Sequence, residues 1–516
     1  MNLIPTTPGS SPSYWCTWNA QHPMWYLRTD EEYARFDYLT ATEGGNAARR
    51  KMSERAVFDD PGWAVKFWPR IRADLYFCFD DGWDVPPLID AERERWRFGS
   101  LILNAERFPS FTGSPAERLK RLNDRLVALG WRGAALWVAA QCEGDGREDN
   151  LASAEAVDPV ASTDAYWRER ARWSAEAGIK YWKVDWGMRA RAPGFRQLLT
   201  EIGRQAAPGL WIEHARCMEP LNNLLGNGRF EDWEDVFQES LETLRFSDVF
   251  RSYDEIQELR IPICLDRIAA WGRLARFESP SVGLINCEDN LYLGAALGCT
   301  LGIMRVPVRN PWTHWQWPEI DEAMRAVLWQ RLAPAFGLAQ ADFHVSNTSL
   351  TDSHVVDPQH WYRLAAGRLV AQYAPAVISR GLPLPTVVTG GEPPYVVASR
   401  NPNGALAIAT LPRCIEGAAS LPPADILVEA GELPARIGVF GRYRSLEFRF
   451  NRPLAAPRIW AQDLLSDAAV DITRRVVMIE NSLRLDGGLI DEIGLSAATE
   501  DDPSLPGLVL GLSSSG

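Results

Sequence analysis

The chain has 516 residues, enough for a large core and more than one domain. Its 54 basic and 67 acidic residues give a formal net charge of −13, which argues against a nucleic acid or an anionic membrane surface as partner. Eight cysteines are scattered without C-x-x-C spacing, so we expect free thiols and a cytoplasmic location. We also expect no secretory signal and no membrane-spanning segment.

Short buried strands alternate with amphipathic helices over the first two thirds of the chain. In chain order the predicted strands are 14–19, 75–79, 134–138, 179–184, 210–214, 247–251, 282–286 and 302–306. One intervening helix has clear limits, with Ser114 and Pro115 as start signals and Gly130 as the stop. About eight strand–helix units with right-handed crossovers predict a (β/α)8 TIM barrel.

The pattern changes beyond residue 336 or so, where short strands alternate with turns rich in Pro, Asn and Gly. The strands predicted here are 395–399, 405–409, 436–440, 446–450, 476–479 and 489–495, after an interrupted helical segment near 360–373. Hairpin-like spacing of this kind is typical of an antiparallel β-sandwich. We therefore predict a catalytic barrel at 1–340 and a C-terminal β-sandwich at 341–516.

Carboxylates stand at or just after the ends of several predicted barrel strands. They are Asp80, Asp81, Asp185, Glu213, Asp254, Glu255, Glu288 and Asp289. In a β/α barrel these strand ends face one pole, so the side chains would converge on one pocket. A turn or a helix cap explains any single pair equally well, but all of them together favour a functional site.

Tryptophan is frequent, and several copies lie near the same strand ends. The chain has 22 in all, and these are Trp15, Trp18, Trp83, Trp137 and Trp186. Flat indole faces suit sugar rings, although tryptophan is also ordinary core material. Glycoside hydrolysis needs one carboxyl group to protonate the leaving oxygen and a second to attack the sugar or to activate water. The sequence thus favours a glycosidase with a carbohydrate substrate.

A metal-dependent barrel hydrolase is a rival interpretation. Such a site needs clustered histidine ligands, and the six histidines form no H-x-H or H-x-x-x-H pair on a predicted barrel strand. They are His22, His214, His314, His344, His354 and His360. We therefore expect no metal and no cofactor.

Five motifs follow one another along the predicted barrel strands. They are Trp-x-x-Trp in Tyr14–Asn19, Asp-Asp-Gly-Trp in Phe79–Trp83, Lys-x-Asp in Tyr181–Asp185, an Arg followed by acids in Phe250–Ile256, and Asn286–Leu291. In this order they resemble the α-galactosidase (melibiase) clan of glycoside hydrolases, families 27 and 36. The resemblance implies a retaining, exo-acting α-galactosidase.

The same resemblance assigns roles to residues. Asp185 corresponds to the nucleophile and Asp254 to the acid/base, although the spacing from Arg251 favours Glu255 over Asp254. With Trp137 and Glu213 added from the strand ends, the predicted substrate-binding residues are Trp18, Asp80, Asp81, Trp137, Lys183, Glu213, Arg251 and Asp289. A gap of roughly 5 Å between the two catalytic carboxylates predicts retention, and roughly 7 Å or more predicts inversion.

Two departures from the family pattern leave the substrate open. Trp186-Gly187 stands where the family has Asn-Cys, and the segment 213–217 does not match a standard specificity loop. An α-N-acetylgalactosaminidase, a β-L-arabinopyranosidase and a non-catalytic sugar-binding protein are therefore alternatives. The exposed face of the sandwich also allows a homo-oligomer.

Overall fold

Eight parallel strands form the sheet that organises the first part of the chain. They are β1 (Tyr14–Cys16), β2 (Tyr76–Phe79), β3 (Gly133–Val138), β4 (Tyr181–Val184), β5 (Trp211–Ala215), β6 (Val249–Arg251), β7 (Leu284–Asn286) and β8 (Gly302–Ile303). Each strand from β1 to β6 pairs with the next, β8 pairs with β1, and an isolated bridge between Asn286 of β7 and Thr300, just ahead of β8, completes the ring. The sheet is therefore a closed (β/α)8 barrel, as predicted.

The computed structural model describes residues 1–22, 41–147, 159–215, 233–252, 259–274, 283–307, 319–355, 367, 369–454 and 457–513. Helices of the barrel region are α1 (Trp18–Gln21), α2 (Ala41–Lys51), α3 (Glu54–Phe58), α4 (Trp63–Lys66), α5 (Pro115–Ala128), α6 (Pro159–Ala177), α7 (Pro193–Ala206), α8 (Trp233–Phe246), α9 (Arg260–Leu274), α10 (Leu291–Leu297) and α11 (Ile320–Trp329). Helix α5 begins at the predicted cap, where Ser114 and Glu117 form a capping box. Among the described residues, no helix has the length and apolar character needed to cross a membrane.

Alternation along the strands separates two apolar regions. Outward residues such as Trp15, Phe77 and Trp182 join the core beneath the helices, whereas inward residues such as Tyr14, Cys78 and Tyr181 form a separate cluster inside the barrel. Because successive side chains of a strand point to opposite faces, this parity continues to the strand ends. It brings Asp80, two residues after Cys78, to the barrel's inner face.

The C-terminal part is built from two larger sheets. One has the order β22-β21-β25-β19-β15-β14-β12-β9 and the other β13-β18-β20-β24-β23. The strands are β9 (Phe343–Val345), β10 (Ser349–Val355), β11 (Leu369–Pro375), β12 (Val377–Arg380), β13 (Thr386–Val388), β14 (Tyr395–Arg400), β15 (Leu406–Leu411), β16 (Arg413–Ile415), β17 (Ala418–Ser420), β18 (Asp425–Gly431), β19 (Arg436–Phe440), β20 (Ser445–Phe450), β21 (Arg458–Asp463), β22 (Val470–Asp471), β23 (Val477–Ile479), β24 (Ser482–Asp486) and β25 (Gly507–Ser513). Pairing is mostly antiparallel, as in the predicted sandwich, although β12–β14, β15–β19 and β18–β20 are parallel.

Two predicted elements of this part are wrong. The expected strand 489–495 is instead the helix α12 (Gly487–Gly494), which begins where the Asp486 side chain accepts a hydrogen bond from the backbone N–H of Gly488. The expected helical segment near 360–373 is a strand where it is described, because β11 pairs along its whole length with β10. In both cases the local apolar pattern does not distinguish a short helix from a strand.

Helix α11 joins the barrel to the sandwich. Arg325 on α11 forms a fully buried ion pair with Asp463 on β21, with an Nε–Oδ1 distance of 2.9 Å. The chain start also lies against the sandwich, because the backbone N–H of Leu3 donates to Gln462. The boundaries 1–340 and 341–516 remain a proposal.

Candidate active site

Inward side chains of the barrel strands form three polar layers, to which β4 contributes Tyr181, Lys183 and Asp185 in turn. We call them the lower, middle and upper layers. The lower layer surrounds Glu213, whose carboxylate accepts hydrogen bonds from the Tyr14 hydroxyl (3.0 Å), the Tyr181 hydroxyl (2.8 Å) and the Asn286 amide (2.5 Å). Glu213 is fully buried. The structure thus places this predicted sugar contact inside the barrel, bonded to protein groups.

The middle layer is a buried ion pair. Lys183 Nζ lies 2.8 Å from Asp80 Oδ2, and the Cys16 thiol donates to the same oxygen at 2.8 Å. Burial, then the hydrogen bond with Cys78 and the charge of Asp80, raises the pKa of Cys16 well above its usual range, so the group stays a thiol. Asp80 Oδ1 accepts from the backbone N–H of Asp81. These bonds fix the orientation of the Asp80 carboxylate.

Asp81 turns its carboxylate toward helix α2. Its Oδ2 accepts two hydrogen bonds from Arg49, from Nε at 2.9 Å and from Nη2 at 2.7 Å. Its Oδ1 is buried and accepts no hydrogen bond from the described part of the chain. Burial raises the pKa of Asp81; Arg49 opposes the shift, and Asp80 and Asp185 add to it.

The upper layer contains Asp185, just after the end of β4. Its Oδ2 accepts from Trp137 Nε1 at 3.1 Å, and its Oδ1 lies 3.4 Å from Arg251 Nη2. The side chain keeps 15% of its surface exposed, against 2% for Arg251. Asp185 therefore combines a fixed orientation with access to solvent, which a nucleophilic carboxylate requires.

Nearby charges keep Asp185 ionised. Burial alone would raise the pKa of its carboxyl, but Arg251, Lys183 and the hydrogen bond from Trp137 outweigh burial and lower the pKa below its usual value. The carboxylate is consequently negative throughout the neutral range.

Glu288, and not Asp289, faces Arg251. Glu288 Oε2 lies 3.0 Å from Arg251 Nη1. Asp289 has a φ of 51°, and its carboxylate accepts from the backbone N–H of Met304 and lies 3.6 Å from Arg305. Glu288 is thus paired with Arg251, and Asp289 is paired with Arg305. The sugar-binding role of Asp289 stays a prediction.

The predicted residue Trp18 lies at the edge of the barrel interior. Trp18 is half-buried, borders the inward cluster of the barrel and makes an edge contact with His22. Asp254 and its alternative Glu255 lie outside the described residues.

A metal ion does not suit the middle layer. Cys16, Cys78 and Asp80 are the candidate ligands found among the described residues, with ligand atoms within 4.8 Å of one another. The ammonium group of Lys183, 2.8 Å from Asp80, already supplies positive charge there and would repel a cation. His214 points elsewhere: it is buried and lies 2.8 Å from the Thr200 hydroxyl.

Sequence reasoning missed two residues of this site, Cys16 and Arg49, and it assigned no role to Trp186 or Glu288, although both stand at predicted strand ends. Cys16 has the same strand parity as Asp80, a signal that was present and unused. Trp186 follows Asp185 directly and packs on Trp137 with ring centroids 5.4 Å apart. Arg49 lies on a helix that no motif marks. The placement of Arg49 depends on tertiary packing, whereas strand parity through Leu284 and Asn286 already favours Glu288 over Asp289.

No family model and no curated protein matches the chain. Among solved structures, a family GH27 β-L-arabinopyranosidase from Geobacillus stearothermophilus is 11% identical, with 98% of this chain and 97% of that chain covered and a TM-score of 0.40. A structure described as a putative α-N-acetylgalactosaminidase from Bacillus halodurans is 12% identical, with 99% of each chain covered and a TM-score of 0.37. An α-amylase from Geobacillus thermoleovorans is 8% identical, with 99% and 100% covered and a TM-score of 0.43. The first belongs to family GH27, one of the two families that the sequence motifs resemble.

Proposed function

We propose that this chain is a glycoside hydrolase, a retaining and exo-acting enzyme of the α-galactosidase type. The observation that carries the proposal is Asp185: an ionised, oriented and partly exposed carboxylate at the carboxyl end of a barrel strand. Asp80 and Lys183, which correspond to sugar-binding groups of the resembling family, form the middle layer, and Asp81, which corresponds to another, follows Asp80 in the chain.

The reaction proceeds in two steps. Asp185 attacks the anomeric carbon while Asp254 protonates the departing oxygen, which leaves a glycosyl ester on Asp185. Asp254 then removes a proton from water, and the water cleaves the ester with overall retention of configuration. Asp254 has this role by resemblance, and Glu255 is its alternative.

The remaining groups bind the sugar. Lys183 donates to a hydroxyl and Asp80 accepts from one, while Arg251 and Asp289 contribute further polar contacts and Trp18 packs on the apolar face of the ring. The buried network around Glu213 closes the pocket from below. Exo action is taken from the family resemblance.

The sugar itself is an α-galactoside in this proposal. An α-N-acetylgalactosaminide and a β-L-arabinopyranoside differ from it only near C2 or C5, so these are the competing substrates. Relative kcat/KM values on the three p-nitrophenyl glycosides distinguish them: the highest value is expected for the α-galactoside.

The direct test is replacement of Asp185 by glycine and rescue with azide. We expect Asp185→Gly to lose hydrolysis by several orders of magnitude and to form β-galactosyl azide when azide occupies the vacated space. Asp248→Asn is the matched control, because Asp248 pairs with Arg204 just ahead of β6, away from the candidate site. Near wild-type turnover by Asp185→Gly would end the proposal. Sugar binding without turnover by the wild type would favour the non-catalytic sugar-binding alternative.

A further inference from the structure

We propose that Arg49 is a substrate-positioning residue: it holds Asp81 so that one carboxylate oxygen is presented to a single sugar hydroxyl. The proposal rests on the proposed function, because it concerns how the same pocket recognises its sugar. Neither the sequence motifs nor the comparisons point to Arg49.

Arg49 contacts only one of the two carboxylate oxygens of Asp81. Nε and Nη2 of Arg49 both donate to Oδ2 of Asp81, at 2.9 and 2.7 Å. Oδ1 accepts nothing from the described residues although it is buried. A carboxylate held by one oxygen cannot rotate without breaking two charge-assisted hydrogen bonds, so Oδ1 keeps one direction.

Arg49 is itself held on all sides. Its guanidinium carbon lies 5.4 Å from the ring centre of Phe98 and 5.6 Å from that of Trp186. Its remaining terminal nitrogen, Nη1, donates to Asn46 Oδ1 at 3.0 Å. The two cation–π contacts and the hydrogen bonds from Nε, Nη1 and Nη2 make the guanidinium a rigid support for Asp81.

The glycine of the Asp-Asp-Gly-Trp motif permits this approach. Gly82 has a φ of 111°, and a Cβ built on it would lie 3.1 Å from Cα and 3.2 Å from Cβ of Arg49. The backbone of helix α2 therefore packs directly on the turn that carries Asp81. Helix α2 and the motif form one unit, in which Gly82 brings Arg49 within reach of the carboxylate.

The consequence is selectivity for one hydroxyl. A buried acceptor of fixed direction is left unpaired when the substrate lacks the matching hydroxyl, and this strongly disfavours the deoxy analogue. A freely rotating carboxylate would turn to another donor and would discriminate less. Arg49 thus acts through Asp81 and does not itself contact the sugar.

The experiment measures kcat/KM of p-nitrophenyl α-D-galactopyranoside and of its 2-, 3-, 4- and 6-deoxy counterparts. We call the factor by which kcat/KM falls when one hydroxyl is removed the deoxy penalty of that position. Asp81→Asn first identifies the hydroxyl concerned, as the position whose deoxy penalty is largely lost in this variant. For the wild type we expect that penalty to be about 100-fold or more. Arg49→Met should reduce it to below about 10-fold and Arg49→Lys should give an intermediate value, because lysine keeps the charge but not the two-pronged geometry. Arg50→Met is the matched control, since Arg50 is the next residue of the same helix and is exposed.

The outcomes separate the two proposals. Selective loss of one deoxy penalty, the same one in Arg49→Met and Asp81→Asn, with all penalties kept in Arg50→Met, supports the inference. An unchanged penalty at that hydroxyl in Arg49→Met, or equal loss at all four positions, overturns it while the proposed function stands. If the wild type binds galactose without turnover, the same penalties are read from Kd by calorimetry. Absence of both turnover and binding overturns both proposals.

Discussion

Arg251 has two carboxylate partners, and this sets the charge on Asp185. Its guanidinium lies 3.4 Å from Asp185 and 3.0 Å from Glu288. Because Arg251 lies closer to Glu288 than to Asp185, it stabilises the Asp185 anion without forming a short ion pair with it. A nucleophile needs this balance, since a tight ion pair would lower its reactivity as well as its pKa.

Replacement of Arg251 tests this balance. Arg251→Met removes the largest influence that lowers the pKa of Asp185, so the pKa should rise. A smaller fraction of Asp185 is then ionised at low pH, and the acidic limb of the kcat/KM profile should move to higher pH. Arg204→Met is the control, because Arg204 pairs with Asp248 ahead of β6. An acidic limb that stays in place while activity falls would refute the role of Arg251 in keeping Asp185 ionised.

Strand parity accounts for most of what the sequence predicted at the scale of elements. Tyr181, Lys183 and Asp185 alternate with outward residues, and the inward side of β4 therefore supplies one group to each layer. The same rule could have placed Cys16 beside Asp80. It could also have favoured Glu288 over Asp289, because Glu288 continues the inward series of Leu284 and Asn286. The role of Arg49 could not be predicted, because the sequence does not specify where α2 packs.

The turn after Asp81 is held by a buried carboxyl group. Asp84 Oδ2 accepts from the backbone N–H of Leu101 at 3.3 Å, next to the segment that carries Phe98. Burial raises the pKa of Asp84 to about 7. The folded state therefore keeps a proton that the unfolded chain releases, and this group lowers stability as the pH rises from about 4 to about 7.

Asparagine at position 84 should remove this pH dependence. We expect the free energy of unfolding of Asp84→Asn, relative to that of the wild type, to be higher at pH 8 than at pH 5. The increase should be up to about 1.4 kcal/mol for each unit of pKa shift. Urea unfolding at the two pH values measures the difference. Ile102→Val is the control, because it changes no charge in the same segment. Its free energy of unfolding should differ from that of the wild type by the same amount at pH 5 and at pH 8. A constant difference for Asp84→Asn would show that Asp84 is not held as a neutral acid.

The barrel and the sandwich are joined by an interface that combines apolar packing, such as Phe440 against Tyr292 and Trp329, with buried polar contacts. Besides the Arg325–Asp463 pair, the Tyr292 hydroxyl donates to the backbone carbonyl of Leu505, and Arg380 on β12 donates to the carbonyl of Leu297 at the end of α10. These contacts tie α10 and α11, which follow the last barrel strands, to the sandwich. We infer that the two parts unfold together.

Breaking the buried pair measures that coupling. Arg325→Met leaves Asp463 buried without its charge partner and should lower the free energy of unfolding by about 3–5 kcal/mol. Galactoside turnover below the unfolding transition should be little changed, since Arg325 is far from Asp185 in the fold. The exposed pair Arg449–Glu429 provides a control with a much smaller effect on replacement. Two separate transitions in wild-type calorimetry would contradict joint unfolding.

Covalent trapping on Asp185 tests the central claim most directly. An activated 5-fluoro-α-galactosyl fluoride forms the glycosyl ester but slows its hydrolysis, so the intermediate accumulates and peptide mass mapping locates it. We predict one fluorogalactosyl group per chain, on Asp185, and none in Asp185→Asn. A label on Glu288 or another acid, or steady turnover to an inverted product without any label, would contradict the account.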